Sequence, residues 1–239
     1  MLTQFSPRRV ARTIGVLFLL TILGGVFAQG FVSDRLVVFS DAAATANNIL
    51  SHQGLFQLGF AVYLIEMVCQ IAAAALWYVL LRPVSKPVAL VAAFIELGGA
   101  VIKTFARVLY IAPLWVLATT TSGASPILRG FTPEQVQSIA LVLLRVNDSG
   151  AATALAFFGF STLLNGYLIF RSTFLPRWLG GLAMISGLGW LTFLYPPLGR
   201  SSFMILALIG LLSSAATIFW LLVFGVKEEK WKQQAESHG

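Results

Sequence analysis

The candidates for chemistry in this chain are seven polar side chains that lie inside or at the edge of its long apolar stretches. Six are ionisable and one is an amide: Glu66, Glu96, Lys103, Arg107, Arg145, Asp148 and Asn165. A charge near the centre of a bilayer costs on the order of 3 kcal/mol on insertion scales, so such groups normally face other helices and find partners. The set is therefore the candidate ligand site, a polar intramembrane pocket.

The depth of each side chain along its helix predicts which of them meet. At about 1.5 Å per residue, Glu66 and Lys103 both lie about 22 Å from the same predicted membrane boundary, so they can form an ion pair. By the same estimate Glu96 lies at about 12 Å and Asn165 at about 9 Å. A contact between this carboxyl and this amide is therefore feasible.

One helix face carries several of these groups. Glu96, Gly99, Lys103 and Arg107 recur at spacings of three to four residues, which align side chains along one face of a helix. Arg107 lies at about 28 Å, where Asp148 is also expected, which predicts a second charge pair. Two interpretations stay open: a structural ion network that holds helices together, or a site for a ligand, a lipid headgroup or a proton.

The sequence does not offer the residues that several catalytic and cofactor chemistries need. The two histidines, His52 and His238, lie outside the apolar stretches, so no span offers imidazole as a base or a metal ligand. The single cysteine, Cys69, can form neither an intrachain disulfide nor a thiolate metal site. No phosphate-binding glycine loop is present. We therefore expect no cofactor, no metal and no catalytic residue, and an enzyme that uses Glu66 and Glu96 as acid and base is the weakest hypothesis.

The composition indicates that the main solvent of the chain is lipid. Of its 239 residues, 58% are hydrophobic and 10% are charged, with a mean hydropathy of +0.86. A soluble domain usually carries about a quarter charged residues. The net charge of +7 is scattered between apolar runs and forms no single basic face, which argues against a nucleic-acid partner. We expect an integral membrane protein whose partners are membrane lipids.

Six apolar stretches are long enough to cross about 30 Å of hydrocarbon as helices. They comprise residues 10–33, 54–81, 88–118, 149–171, 177–195 and 201–225. The whole chain, 1–239, is therefore predicted to be one all-α domain, a polytopic membrane helix bundle. Residues 226–239 are predicted to be a solvated cytoplasmic tail that anchors the last span through its lysines and Trp231. Cleavage of the first stretch as a signal peptide stays open.

The basic residues in the loops and at the span ends predict the orientation, because cytoplasmic loops collect Lys and Arg. Ten lie on one side: Arg8, Arg9, Arg12, Arg82, Lys86, Arg171, Arg177, Lys227, Lys230 and Lys232. Four lie on the other: Arg35, Arg129, Arg145 and Arg200. This split alternates with the six spans and predicts that both termini are cytoplasmic.

Two short helices are predicted on the outer side. Ser40 and Asp41 can cap the first, over residues 41–50, by accepting hydrogen bonds from free amides. Thr132 and Gln135 form a capping box for the second, over residues 133–146.

A bend is expected directly after the second of these helices. Asn147–Gly150 supplies Asn, Asp, Ser and Gly in succession, which weaken a helix by competing for its backbone hydrogen bonds. The two short helices are predicted to cover the mouth of the pocket, with Arg145 and Asp148 in a charge pair that fastens the second one.

Long segments of the chain resemble a known family. They are RRVARTIGVLFLL, DRLVVFSDAAATANNIL and FFGFSTLLNGYLIFRSTFLPRWLGGLAMISGLGWL. On these segments the chain resembles a bacterial multi-span membrane family called domain of unknown function four-three-eight-six, over nearly its whole length. Ser40 stands where glycine is expected, a change that affects loop geometry more than chemistry. The resemblance implies the fold and the bacterial inner membrane, and it supplies no catalytic or binding residues.

Three functions remain in order of preference. The leading hypothesis is the binding or passage of a small molecule or lipid through the polar pocket between the second, third and fourth spans. The alternative is a non-catalytic structural or regulatory subunit, in which the same charges only hold helices together. The carboxylate enzyme ranks third, and the sequence predicts no oligomeric state.

Overall fold

The computed structural model describes residues 6–122 and 130–237, and every element within these residues is helical. The helices are α1 (Pro7–Val26), α2 (Asp34–Leu36), α3 (Ala42–Ser51), α4 (Gln53–Leu81), α5 (Lys86–Ser122), α6 (Pro133–Arg171), α7 (Arg177–Trp190), α8 (Pro196–Ser201), α9 (Phe203–Val223) and α10 (Glu228–Glu236). The predicted all-α class is confirmed. Arg129 and His238 lie outside the described residues.

Five helical segments in the described residues are long and apolar enough to cross a membrane. They are Pro7–Leu36, Gln53–Leu81, Lys86–Ala118, Pro133–Arg171 and Phe203–Val223. They coincide with the first, second, third, fourth and sixth predicted spans.

The fifth predicted span, residues 177–195, has a different structure. It consists of α7, which has 14 residues, and a 3-10 turn over Leu191–Leu194. The helical winding stops at Tyr195, which is extended because Pro196 follows it and disfavours helical backbone in the residue before.

The expectation of a separate short helix over residues 133–146 is wrong. The structure has one helix, α6, with 39 residues. Asn147 does not compete for the backbone of α6, because its side-chain oxygen accepts a hydrogen bond from Arg107 Nη1 at 3.0 Å. Gly150 lies against α5, where a methyl group added to it would be 2.8 Å from the Ala106 Cβ. Packing against α5 therefore accounts for the continuity of the helix.

Both predicted helix caps are confirmed. The Asp41 side chain accepts a hydrogen bond from the Ala44 backbone N–H at 2.9 Å and begins α3. Thr132 and Gln135 bond each other reciprocally: the Thr132 N–H donates to Gln135 Oε1 at 2.8 Å, and the Gln135 N–H donates to Thr132 Oγ1 at 3.4 Å. Each cap satisfies amides that the first turn of a helix leaves without an acceptor.

The first membrane helix changes its winding near its end. The α-helical pattern of α1 is followed by seven π-helical residues, Phe27–Ser33, and returns in α2. A π turn is rare, and it is frequently found at functional sites because it shifts the direction of the side chains that follow it. Here it carries Gln29, whose contacts are described with the candidate site.

The helices divide into two compact units. The tyrosine unit, named for Tyr63 and Tyr110, comprises Thr21–Met67 and Ile102–Ala151. The tail unit, named for α10, comprises Met1–Leu20, Val68–Val101 and Ala152–Gly239, and the structure describes it from residue 6 to residue 237.

The tyrosine unit has an apolar core built around aromatic rings. Phe56 and Tyr110 are stacked with ring centroids 4.3 Å apart, and Tyr63 meets Tyr110 edge-on at 5.3 Å. Residues of α3 and of the first half of α6 complete this core: Ala46, Ile49, Val136, Ala140 and Leu144. The apolar faces of these two helices are therefore buried within the unit.

The tail unit contains α10, which is docked through its aromatic residue. The Trp231 indole N–H donates to the Leu80 carbonyl at 2.8 Å, and the side chain is buried. The expectation of a solvated tail is therefore wrong for Trp231, because burial of the ring and a satisfied N–H stabilise the docked position.

Close helix packing in the tail unit depends on glycine. An added methyl group at Gly180 of α7 would lie 2.5 Å from the Phe170 backbone nitrogen and 2.6 Å from the Gly166 carbonyl oxygen of α6. No side chain fits at that distance, so the two backbones meet only because position 180 has no Cβ.

Candidate ligand-binding site

Glu66 of α4 and Lys103 of α5 form the ion pair that their depths predicted. Lys103 Nζ donates to Glu66 Oε1 at 2.6 Å, and the two side chains are 15% and 6% exposed respectively. Gly25 of α1 lies beside the carboxylate, since a methyl group added there would be 3.4 Å from Glu66 Oε1. The pair is thus buried where α1, α4 and α5 meet in the tyrosine unit.

Arg107 lies one turn further along α5 and is only 3% exposed. Its Nη1 donates to Asn147 Oδ1 at 3.0 Å, and its guanidinium carbon is 3.5 Å from the centroid of the Tyr63 ring. The face of an aromatic ring attracts a cation through its quadrupole. Both of these contacts are with uncharged groups.

The partner predicted for Arg107 was Asp148, and the structure places the neighbouring Asn147 at the guanidinium. Consecutive residues on a helix point about 100° apart, so an error of one residue in register exchanges one side chain for the next. Asp148 is half-buried on α6, beside this contact.

Hydrogen bonds from the π-helical turn hold the ring of Tyr63. The Tyr63 hydroxyl donates to Gln29 Oε1 at 2.7 Å, and Gln29 Nε2 donates to Asp34 Oδ1 at 2.8 Å. The ring that covers Arg107 is therefore fixed at its far end. The sequence analysis missed both Tyr63 and Gln29, although a glutamine within an apolar run was an available signal.

Three buried side-chain polar atoms in the described residues have no hydrogen-bond partner: Glu66 Oε2, Arg107 Nε and the Tyr110 hydroxyl. All three lie in the tyrosine unit. A buried polar group without a partner costs about 1–3 kcal/mol, and more when it is charged, so native proteins contain few of them. Two donors and one acceptor are thus arranged here for a group that brings the complementary atoms.

The helical spacing places these groups on two facing stripes. Tyr63 and Glu66 are three residues apart on α4, while Lys103, Arg107 and Tyr110 follow at spacings of four and three on α5. We call these five residues the polar cluster. In this cluster the Glu66 carboxylate is paired with Lys103, and Arg107 contacts uncharged groups. Tyr63 and Tyr110 supply the aromatic rings.

Glu96 and Asn165 belong to the tail unit and bond to other groups than predicted. Gln70 Nε2 donates to Glu96 Oε1, and Asn165 Nδ2 donates to Ser161 Oγ at 3.4 Å. The structure thus gives Asn165 a partner on its own helix, Ser161, one turn before it, where the depths had made the Glu96 carboxyl a feasible one.

Arg145 is exposed and fastens the beginning of α6 to the segment before α3. Its Nη2 donates to the Phe39 carbonyl at 3.0 Å, and its guanidinium carbon lies 4.2 Å from the centroid of the Phe39 ring. The structure thus gives Arg145 a carbonyl and a ring as partners, where a charge pair with Asp148 was predicted. Arg145 lies outside the polar cluster.

No group of three His, Cys, Asp or Glu side chains within residues 6–122 and 130–237 could hold a metal ion. The five apolar helical segments and the buried ion pair define a membrane-embedded helical protein with a polar interior. The family model described as Domain of unknown function (DUF4386) matches residues 13–225, and the chain belongs to this family. No curated protein and no solved structure matches the chain.

Proposed function

We propose that the protein binds a small molecule or lipid at the polar cluster of the tyrosine unit. The observation that carries this proposal is the set of three buried polar atoms without a partner: Glu66 Oε2, Arg107 Nε and the Tyr110 hydroxyl. A ligand with acceptor atoms for Arg107 and Tyr110 and a donor for Glu66 would satisfy all three.

A second function is favoured by a different contact. The Lys103–Glu66 bond at 2.6 Å joins α4 to α5, as expected of a structural or regulatory subunit whose buried charges hold helices together. That function accounts for the ion pair but not for Arg107, because helix adhesion alone is served best by polar groups that satisfy one another. Binding is therefore the better explanation of the whole cluster.

We propose the bacterial inner membrane as the location, with six spans and both termini in the cytoplasm. The additional span, the fifth along the chain, would be α7 with its 3-10 turn. At about 1.5 Å per residue for α7 and about 2.0 Å for the turn, this segment is about 29 Å long, close to the thickness of the hydrocarbon.

Reporter fusions test the number of spans. Fusions after Val84 and Ser172 should be cytoplasmic, and those after Phe39 and Arg200 should be external. If the fusions after Ser172 and Arg200 report the same side, α7 does not cross the membrane and five spans remain.

Mass spectrometry of molecules that co-purify in mild detergent tests binding. The wild type and Arg145→Gln, a matched loss of one arginine outside the polar cluster, should retain the same molecule, while Arg107→Gln should lose it. Arg107→Lys keeps the charge without the Nε donor and replaces the glutamine variant if that one does not fold. Equal retention by the Arg107 and Arg145 variants would refute the proposal.

A further inference from the structure

A half-open cleft of about 770 Å³ lies in the tail unit, where α9 ends and α10 begins. Its walls come from Arg8 in the first turn of α1, from Thr173–Pro176 after α6, from Trp220 near the end of α9, and from residues 224–230. Because α1, α6 and α9 all belong to candidate membrane spans, the cleft lies where three spans reach one membrane surface. Its volume is within the range of small-molecule sites, roughly 300–1,000 Å³.

Three cations line the cleft: Arg8, Lys227 and Lys230. Their side chains are exposed, and none of them forms a salt bridge in the part of the chain that the structure describes. Two carboxylates, Glu228 and Glu229, also line it. Glu228 is already engaged, because it accepts hydrogen bonds from the Ser6 hydroxyl and from the Arg8 backbone N–H. Glu228 keeps its negative charge in these contacts, so three cations and two carboxylates give the cleft a net charge of +1.

Backbone donors and aromatic rings complete the lining. Residues 228–230 form the first turn of α10, and their backbone N–H groups have no acceptor within that helix. Trp220 and Phe224 also line the cleft, with ring centroids 4.6 Å apart. Tryptophan rings of this kind are enriched at the level of lipid headgroups.

We infer that this cleft binds the phosphate group of an anionic ligand, through Arg8, Lys227 and Lys230. The chemistry is shared by two sources, the headgroup of an anionic phospholipid and a soluble phosphate. This site is distinct from the polar cluster and stands whether or not that cluster binds a ligand, since it depends on other residues.

Native mass spectrometry of the full chain tests the site, with phosphatidylglycerol and phosphatidylcholine as lipid probes. The wild type should retain phosphatidylglycerol about tenfold better than phosphatidylcholine, and Lys227→Gln/Lys230→Gln should lose that preference. Arg12→Gln/Lys86→Gln removes the same charge outside the cleft, and this variant should keep the preference for phosphatidylglycerol. Because Arg8 also packs on Gly225, its variant is left out of the main comparison.

Competition with glycerol 1-phosphate and inorganic phosphate separates the two sources. If neither displaces the lipid, the source is a phospholipid headgroup; if either does so at equal concentration, the source is a soluble phosphate and the lipid assignment is refuted. Equal retention of phosphatidylglycerol by the cleft variant and its charge-matched control would overturn the site altogether. Unchanged thermal unfolding of both variants shows that the comparison concerns binding and not folding.

Discussion

The tyrosine unit and the tail unit are built from similar apolar helices, and they differ in how completely their buried polar atoms are satisfied. In the tail unit, Gln70 bonds Glu96, Trp231 bonds the Leu80 carbonyl, and helices approach to backbone distance at Gly180. The three buried polar atoms without partners among the described residues all lie in the tyrosine unit. Satisfied polar groups and close packing characterise a structural core, whereas unsatisfied ones mark the unit where a ligand would bind.

The largest effect is expected from breaking the ion pair of the tyrosine unit. Lys103→Met leaves the Glu66 charge buried without its partner and should lower the free energy of unfolding by about 3–5 kcal/mol. Combining it with Glu66→Gln should recover part of that loss, because no buried charge is then left unpaired. Unfolding of the two single variants and the double variant in detergent measures the coupling energy. Strictly additive losses of stability would show that the two residues are not coupled.

A smaller effect is expected from the packing of the tail unit. Gly180→Ala places a methyl group against the backbone of α6 and should cost about 1–3 kcal/mol of stability. The neighbouring Gly181→Ala meets nothing within 4 Å and should be neutral, or stabilising by about 0.5–1 kcal/mol. Thermal unfolding of the two variants measures this difference in stability. Equal melting temperatures would contradict the close approach of α7 to α6 at Gly180.

The smallest effect concerns the docking of α10 on the tail unit. The Ser6 hydroxyl donates to Glu228 and lowers the pKa of that carboxyl, and the Arg8 N–H and nearby cations act in the same direction. Because the folded pKa is below the ordinary value, this contact stabilises docking at neutral pH and is lost as the pH falls through the lowered pKa.

A nitroxide label at Ser237→Cys measures this docking. It should become more mobile on acidification from pH 7, with a transition below the ordinary pKa range of a carboxyl group. Ser6→Ala should shift the transition to higher pH, whereas Glu229→Gln, on the same helix, should leave it unchanged. A mobility that does not change with pH in the wild type would remove Glu228 from the docking contact.

The ion pair was predictable because the rise of a helix is fixed. Counting residues along two spans was enough to place Glu66 beside Lys103. The choice between Asn147 and Asp148 was not predictable, since it requires the register of α6 to within one residue. The caps at Asp41 and Thr132 were predictable because their hydrogen bonds are local.

Long-range contacts and the rare π-helical winding could not be predicted from the sequence. The π-helical turn has no composition signal, and it brings Gln29 to Tyr63, 34 residues away. Trp231 bonds a carbonyl 151 residues away, so a local reading could assign it only to the membrane surface. The continuity of α6 depends in the same way on contacts with α5 and not on its own residues.

The central claim is that the buried polar atoms of the tyrosine unit serve a ligand, and Tyr110→Phe tests it by removing one hydroxyl without changing the ring. In protein purified with its bound molecules, the variant should be less stable by about 1 kcal/mol, because a hydrogen bond to the ligand is lost. In protein stripped by exchange into pure detergent, the variant should be more stable, because an unpartnered buried hydroxyl is removed. Tyr167→Phe, at an exposed tyrosine, should leave the stability of both preparations unchanged. A Tyr110→Phe effect of the same sign in both preparations would contradict the account.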